Sequence, residues 1–313
     1  MTRPGSALVH VAALVRRLAV LLGAGIAPAV AWRNADRGPL EEAAASVAAS
    51  AARSPASTPS AIAALAGSPG RRAPREAAGV AAAWAGLAAT WEVATAAGAP
   101  LAGSLRAFAE VLEGFASAER DVRVALSGPR ATQRLVLVLP VIAIGFGALL
   151  GQDAFGTLIG TPLGWTCLVL GGGLMLAAWA WTRRMLGGAG PPAVIPGLVE
   201  ELTAVAMSGG VSVSRAKGLV AAAIARHVTP PPDPGAADAT LELAAATGAP
   251  AGELLRAEAA EARRAAVGAA RERAERLSVL LMLPLGACVL PAFVAVGVVP
   301  LMASVIGSTV AAV

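Results

Sequence analysis

Three long stretches of the chain are apolar and contain no charged side chain. They cover residues 135–151, 154–182 and 277–313. Each is long enough for an α-helix to cross the hydrocarbon core of a bilayer, which takes about 17–25 residues. The pattern therefore predicts three transmembrane helices, the first two joined by a short loop that contains Gln152 and Asp153.

Outside these stretches, apolar residues recur at helical spacing, and glycine or proline marks the predicted helix ends. Residues 7–32 are expected to form a helical hairpin that breaks near Gly25 and Pro28. Residues 38–79 are rich in Ala, Ser, Pro and Gly, which indicates a flexible insert with short helical pieces. The remaining predicted helices cover residues 80–97, 101–126, 198–224, 237–247 and 251–276.

Together these elements predict an all-α, polytopic membrane protein with three transmembrane helices and two cytoplasmic helical-bundle domains. The sequence leaves open whether the last residues, 300–313, complete the third transmembrane helix. The expected domains are 1–134 for the first cytoplasmic domain with its insert, 135–182 for a two-span hairpin, 183–276 for the second cytoplasmic domain, and 277–313 for the third transmembrane helix and a short outside tail.

The basic residues indicate how the spans are oriented. All 25 lie before Leu135 or between Arg183 and Arg276, and neither the predicted outer loop nor the C-terminal tail contains one. Cytoplasmic loops of membrane proteins carry an excess of Lys and Arg. We therefore expect the cytoplasmic (inner) membrane as the location, with the N-terminus cytoplasmic and the C-terminus outside. Residues 16–31 imitate a secretory signal, but the apolar residues before Arg16 favour a cytoplasmic helix.

The sequence contains no pattern of catalytic, cofactor-binding or metal-binding residues. His10 and His227 have no ligand-spaced Cys, His or carboxylate beside them, and Cys167 and Cys288 fall in predicted spans. A phosphate-binding P-loop needs a glycine-rich run before its lysine, and Lys217, the only lysine, lacks one. Basic residues are not interleaved with aromatic ones, so nucleic acid is not an expected partner. The sequence predicts a protein that is not an enzyme and uses no cofactor.

The two predicted cytoplasmic stretches resemble each other. Gly98-Ala99-Pro100 recurs as Gly248-Ala249-Pro250, and both are followed by a Leu-Arg-Ala sequence. Earlier in each stretch, a Leu-Val pair precedes a glycine, namely Gly25 in the first and Gly210 in the second. The matched features come in the same order. This order predicts an internal repeat that consists of a helical hairpin, a breaker, a long helix and a proline-containing span.

Two helical cytoplasmic bundles, each followed by a span, with one further span between them, resemble the type II secretion system F family. The first half is similar to its actinobacterial TadB-like branch, through ALSGPRAT at residues 125–132 and GTLIGTPLGW at residues 156–165. The last span is similar to the TadC-like branch, through LMLPLGACVLPAF at residues 281–293 and GVVPL at residues 297–301. The resemblance covers nearly the whole chain except the 38–79 insert.

The resemblance implies a non-enzymatic platform protein of the inner membrane that serves a Tad/Flp-type IV pilus or a type II-like secretion machine. The implied partners are a secretion-type cytoplasmic ATPase, pilin-like subunits, membrane lipid, further copies of the chain in a homo-oligomer, and a second platform paralogue. The ATPase would act through this protein to extract pilin subunits into a growing filament.

Two sets of residues are candidates for contact with these partners. Pro140, Pro284 and Pro291 lie inside predicted spans, where proline frees a backbone carbonyl and can kink the helix, so a groove for a pilin helix is expected there. The second set lies on the two long helices that lead toward the membrane and consists of candidates for contact with the ATPase: Glu110, Glu113, Arg120, Arg123, Glu258, Arg263 and Arg264. Both sets also have an explanation without a partner, because ordinary helix packing accounts for the prolines and a solvated helix face accounts for the charged residues.

Two other functions fit the same pattern. The chain could be a subunit of a small-solute transporter, or a membrane-anchored scaffold or regulator outside secretion. Coupled transporters usually place ionisable residues within the membrane. Here Asp153 alone comes near the predicted spans, and it lies in a turn, which favours assembly over transport. A scaffold would differ from a platform protein only in its partners.

Overall fold

A computed structural model describes residues 6–67, 74–125, 142, 145, 162–187, 194–280, 282–299 and 302. Every regular element within these residues is helical, which confirms the predicted all-α class. The longer helices are α1 (Ser6–Gly23), α2 (Pro28–Ala35), α3 (Glu41–Arg53), α4 (Thr58–Ala66), α5 (Pro74–Ala97), α6 (Leu101–Ala125), α7 (Pro162–Gly187), α8 (Leu198–Ser208), α9 (Val213–His227), α10 (Gly235–Thr247) and α11 (Ala251–Leu280). Short segments follow: α12 (Met282–Pro284), a π-helical turn (Leu285–Val289), α13 (Leu290–Phe293) and a second π-helical turn (Val294–Val298).

The chain forms two compact units, and each unit is assembled from two separate parts of the sequence. Unit 1 consists of Met1–Arg120 and Pro191–Ala269, and unit 2 consists of Asp121–Gly190 and Ala270–Val313. The two stretches predicted as separate cytoplasmic domains both contribute to unit 1, where their apolar side chains share one hydrophobic core. The sequence pattern identified the helices but gave no sign that the two sets would merge.

Helix α5 forms the centre of unit 1. It packs against α1 and α4 from the first part of the sequence and against α8 and α9 from the second. Its large side chains Trp84, Leu87 and Trp91 are buried, and the Trp91 ring lies 5.9 Å from the ring of Trp32 on α2, centroid to centroid. Each large apolar side chain moved out of water stabilises the fold by about 1.5–3 kcal/mol. Helix α5 therefore joins the two repeats through apolar burial.

Residues 41–66 belong to the insert that was expected to be flexible with short helical pieces, and they form the short helices α3 and α4, which are packed into unit 1. Val47 and Ile62 are fully buried in the core of unit 1, and α4 packs along α5. The Asp36 carboxylate fixes the turn before α3, because it accepts a hydrogen bond from the Leu40 N–H at 2.8 Å and pairs with Arg17 at 3.0 Å. Alanine is the best helix former, so these alanine-rich segments need little further stabilisation to be helical. Burial of Val47 and Ile62 in the core of unit 1 supplies it.

The glycines that match between the two repeats adopt the same backbone conformation. Gly25 and Gly210 both have a φ of 80°, and Gly98 and Gly248 have φ values of 70° and 75°. Each follows the end of a helix in the left-handed region, which glycine adopts readily because it has no Cβ. Apart from α3 and α4, which have no counterpart in the second repeat, the order of helices around them is also the same. A hairpin (α1–α2 or α8–α9) is followed by a pair that ends in a long helix (α5–α6 or α10–α11).

The two repeats touch where their turns meet. A Cβ added at Gly209, at the end of α8, would lie 2.1 Å from the carbonyl oxygen of Ala97, at the end of α5. No side chain fits into so short a gap. The turn after α8 therefore lies directly on the turn after α5, a contact that requires glycine at this position.

Unit 2 is built around α7, which packs against the short segments that follow α11. Ala178 of α7 is buried against Cys288 and Val289, with Leu174 beside them. The segments depart from α-helical geometry in two π-helical turns, and Pro284 immediately precedes the first of them. Proline cannot donate the usual backbone hydrogen bond, so a change of helical pitch beside it has a local cause.

Two described helices are long and apolar enough to cross a membrane, judged by length and composition alone: Ala77–Ala97 and Gly164–Met185. The first was not among the predicted spans; it lies within α5, and 72 % of its most apolar window is buried in the protein. The second coincides with the second predicted span, and 22 % of the corresponding window is buried. The span predicted over residues 135–151 lies outside the described residues except for two positions. The prediction of three spans is therefore supported only in part.

Candidate interaction surfaces

One side of α7 exposes large apolar side chains. Trp165, Val169, Leu176 and Trp179 are between 53 % and 68 % exposed. Together with Gly172 they follow one another at spacings of three or four residues, so they form a single stripe along the helix. We call these five residues the α7 stripe. An exposed apolar surface of this length marks a region that contacts something other than water.

The buried side of α7 carries small residues instead. Gly164, Gly171, Ala178 and Thr182 are buried and lie at spacings of seven and four residues, so they share one side of the helix, about a third of a turn from the stripe. A helix in a water-soluble core places its large apolar residues inward, as α5 does. Helices that associate within lipid place small residues at their contact, because lipid already solvates the large ones. The fully buried residues of α7 are likewise small.

Two arginines follow the α7 stripe at the C-terminal end of the helix. The guanidinium carbon of Arg183 lies 5.0 Å from the ring centroid of Trp179, which places the cation over the aromatic face. Helix α7 contains no Asp or Glu. Within the described part of the chain, neither Arg183 nor Arg184 forms an ion pair with a carboxylate. Positive charge therefore collects beside an apolar surface.

The three candidate prolines have different outcomes. Pro284 ends α12, directly before the first π-helical turn, and Pro291 lies at the start of α13, between the two π-helical turns. Pro140 lies outside the described residues. π-Helical turns thus lie beside Pro284 and Pro291. The kink and the pilin groove expected at these prolines stay predictions.

The candidates on α6 fall into two environments. Glu110 and Arg120 are exposed to solvent. Glu113 is instead paired with Arg16 of α1, a contact that holds two helices of unit 1 together. Arg123 lies on α6, and its side chain is not described. Glu110 and Arg120 are therefore available to a partner, whereas Glu113 already forms an ion pair within unit 1.

The candidates on α11 divide in the same way. Glu258 is exposed, and Arg264 is 70 % exposed and pairs with Glu261 one helical turn away, at 2.7 Å. Arg263 is only 24 % exposed and lies 3.4 Å from the carboxylate of Glu201, which is nearly buried. Such a pair is costly to break, because the remaining buried charge loses its partner. Reversing the charge of Arg263 would therefore damage unit 1 before it reported on any partner.

Glu200, next to Glu201 in the first turn of α8, is a second buried carboxylate. Burial raises the pKa of Glu200 above its ordinary value, and the nearby charges of Glu258 and Asp233 add to the rise, while Arg263 opposes it. A buried carboxylate with few cations around it disfavours its ionised form. At neutral pH this residue therefore costs unit 1 some stability.

The polar contact between the repeats was missed by sequence reasoning, which had treated His227 as an isolated residue. Glu92 of α5 pairs through one carboxylate oxygen with Arg226 and through the other with the His227 Nε2 at 2.6 Å. The His227 side chain is only 2 % exposed. The contact joins residues 134 and 135 positions apart. No local pattern in a sequence signals a pair at that separation.

A second long-range pair lies in unit 2. Asp121, near the end of α6, pairs with Arg271 of α11. The two residues are 150 positions apart, the same offset that separates Gly98 from Gly248. They are therefore equivalent positions of the two repeats, and they carry opposite charges. The long helices of the two copies meet at this point.

Cys167 is partly exposed and Cys288 is buried, and both are free thiols. Among the described residues, no group of three or more His, Cys, Asp or Glu side chains is placed to hold a metal ion.

No protein-family model matches the chain, and no curated protein or solved structure is significantly similar to it. The family suggested by the sequence motifs therefore stays a prediction.

Proposed function

We propose that the chain is a non-enzymatic platform protein of the cytoplasmic membrane. It would couple a cytoplasmic, secretion-type ATPase to the extraction of pilin-like subunits and the assembly of a Tad/Flp-type pilus or a type II-like secretion filament. In this proposal unit 1 faces the cytoplasm and α7 crosses the bilayer, with the N-terminus cytoplasmic and the C-terminus outside.

The observation that carries the proposal is the contrast between the two units. Unit 1 buries its apolar side chains in a core of its own. In unit 2, α7 buries small residues and exposes a stripe of large apolar ones. A chain that combines a water-adapted unit with a lipid-adapted helix suits a protein that links cytoplasmic partners to the membrane. The repeated order of helices and the family resemblance of the motifs lend further support.

The proposed coupling is mechanical. Helices α6 and α11 each begin among the residues of unit 1 and end among those of unit 2. In this proposal a displacement that an ATPase imposes on these helices would be passed along them to the membrane-spanning part of the chain. The Asp121–Arg271 pair would make the two helices move together. The chain itself supplies no phosphate-binding motif, so the energy would come from the partner.

The surface for the ATPase would include Glu110, Arg120 and Arg264. These side chains are exposed on α6 and α11, and none of them links one helix of unit 1 to another in the contacts described above. Arg263 and Glu113 are excluded from the test variants because they pair with Glu201 and Arg16 within unit 1.

Cross-linking of the tagged full chain in its native membranes tests this proposal. We expect capture of a secretion-type ATPase and of small pilin-like proteins. The double variant R120E/R264E should lower ATPase capture by about tenfold, since each rim charge contributes modestly to association. R215E, which changes an exposed arginine on α9, is the matched control and should not lower it. Capture of neither partner by the unaltered chain would overturn the proposal and favour a transporter subunit or a scaffold outside secretion.

Fusion reporters test the proposed topology separately. A reporter inserted after Gln152 should report an outside location, and one placed within residues 187–196 should report a cytoplasmic location. The reverse result would contradict the placement of unit 1 in the cytoplasm, whatever partners are captured.

A further inference from the structure

The α7 stripe has a gap in its middle. Gly172 and its neighbour Gly173 are both exposed, and a Cβ added at either would have no atom within 4 Å apart from its chain neighbours and the backbone of its own helix. Val169 and Leu176 stand on either side of this gap, each 68 % exposed. The result is a shallow apolar notch with its floor at the glycines. A flexible hydrocarbon chain fits such a notch, because it can follow the floor between the two larger side chains.

The distance from the notch to the arginines matches the size of a lipid. The rise from Gly172 to Arg183 is about 16 Å at the helical 1.5 Å per residue. Half of the hydrocarbon core of a bilayer is about 15 Å thick. A lipid whose chain ends at Gly172 would therefore place its glycerol region near the level of Arg183, with its headgroup phosphate within reach of the long Arg183 and Arg184 side chains. Trp179, about 10 Å from Gly172 by the same rise, would lie beside the part of the acyl chain nearest the glycerol.

The charges of Arg183 and Arg184 favour one class of ligand for the α7 stripe over the others. Arg183 and Arg184 have no carboxylate partner within the described residues, and α7 itself carries no acidic side chain. An apolar peptide on the stripe would leave both guanidinium groups without a counter-ion. A zwitterionic lipid offers a phosphate but also a competing cation of its own. An anionic phospholipid supplies the phosphate alone, and guanidinium groups bind phosphate through several hydrogen bonds at once.

We propose that the α7 stripe, together with Arg183 and Arg184, is a binding site for an anionic phospholipid. The acyl chain lies in the notch at Gly172, and the phosphate accepts hydrogen bonds from the two guanidinium groups. This inference rests on the proposed membrane location of α7. It adds a selectivity for lipid headgroup that neither the location nor the platform function requires.

The test uses the purified full chain in vesicles and the quenching of its tryptophan fluorescence by lipids with brominated acyl chains. Brominated phosphatidylglycerol in a phosphatidylcholine background is compared with brominated phosphatidylcholine in a phosphatidylglycerol background. We expect phosphatidylglycerol to associate about tenfold more strongly than phosphatidylcholine, since each basic residue near an anionic surface adds several-fold. In R183Q/R184Q the ratio should fall to about one. R215Q, an exposed arginine on α9, should keep the original ratio.

Each other outcome has a definite meaning. Equal association of both lipids with the unaltered chain overturns the headgroup site and leaves the proposed membrane function intact. An unchanged preference in R183Q/R184Q overturns the assignment to these arginines. Quenching by neither lipid means that the chain does not enter the bilayer, which overturns this inference and the membrane location together. Loss of the preference on addition of glycerol phosphate would show a site for free phosphate instead of a lipid. Quenching by brominated phosphatidylcholine reports insertion of each variant, so a variant that fails to fold is recognised.

Discussion

Helices α5 and α7 have nearly the same composition by hydropathy and opposite surroundings. Their most apolar windows have mean hydropathies of 1.2 and 1.3, yet 72 % of the first is buried and only 22 % of the second. Helix α5 directs Trp84, Leu87 and Trp91 into the core of unit 1. The side chains that α7 buries are small, namely those of Ala178 and Thr182 beside Gly164 and Gly171, whereas Trp165, Val169, Leu176 and Trp179 are exposed. Hydropathy measures how apolar a helix is, whereas the position of large and small residues around it indicates what solvates it.

Replacing one leucine in each helix tests the difference in their surroundings most directly. Leu87 is fully buried on α5 and Leu176 is 68 % exposed on α7. L87A should lower the free energy of unfolding by about 2–5 kcal/mol, because it loses apolar contacts and leaves a cavity. L176A should change it by less than about 1 kcal/mol.

Thermal unfolding of the detergent-solubilised chain, followed by intrinsic fluorescence, measures both changes on the same scale. A larger effect of L176A than of L87A would show that α7 is the buried helix and would reverse the comparison.

A smaller effect is expected where α5 makes its polar contact with the second repeat. E92Q removes the charge that joins Arg226 and the buried His227 to α5. Loss of a charge-assisted hydrogen bond to a buried group costs about 1–3 kcal/mol. The matched control is E242Q, at the equivalent position of the second repeat, where the glutamate is exposed on α10.

Chemical denaturation of the two variants, monitored by circular dichroism, provides the comparison. Equal midpoints for E92Q and E242Q would mean that the polar contact contributes nothing to the joining of the repeats.

The smallest expected effect is an increase in thermal stability when the charge of the buried Glu200 is removed. Burial raises the pKa of Glu200 above the ordinary value of 4.5, so the folded state binds this proton more tightly than the unfolded state does. The associated stability is present below that value and is lost as the pH rises through the raised pKa. At neutral pH, E200Q should therefore raise the melting temperature by about 2 °C.

The pH dependence separates this cause from a general packing effect. The advantage of E200Q over the unaltered chain should shrink as the pH is lowered toward 4.5, the ordinary value from which the pKa of Glu200 is raised. An advantage that is the same at all pH values would contradict the assignment of the effect to ionisation of Glu200.

Sequence reasoning also misjudged particular sites for physical reasons. It could not separate Arg263 from Arg264, because neighbouring residues on a helix point in different directions and only packing decides which of them meets Glu201. It gave no role to Glu92 and His227, which are brought together by the packing of α5 on α9. It expected residues 38–79 to be a flexible insert with short helical pieces, since nothing in the local sequence shows that Val47 and Ile62 are buried in the core of unit 1.

The sequence by itself determined the helical class, the positions of most helix ends and the order of the two repeats. These properties follow from local physics, namely helical periodicity, the left-handed conformation at Gly25, Gly98, Gly210 and Gly248, and the fixed geometry of proline. Only the tertiary structure decided that the two repeats share one core, that α5 is buried while α7 is exposed, and which charges are paired. Those outcomes depend on which surfaces meet across more than a hundred residues, and apolar composition is the same whether a helix is covered by protein or by lipid.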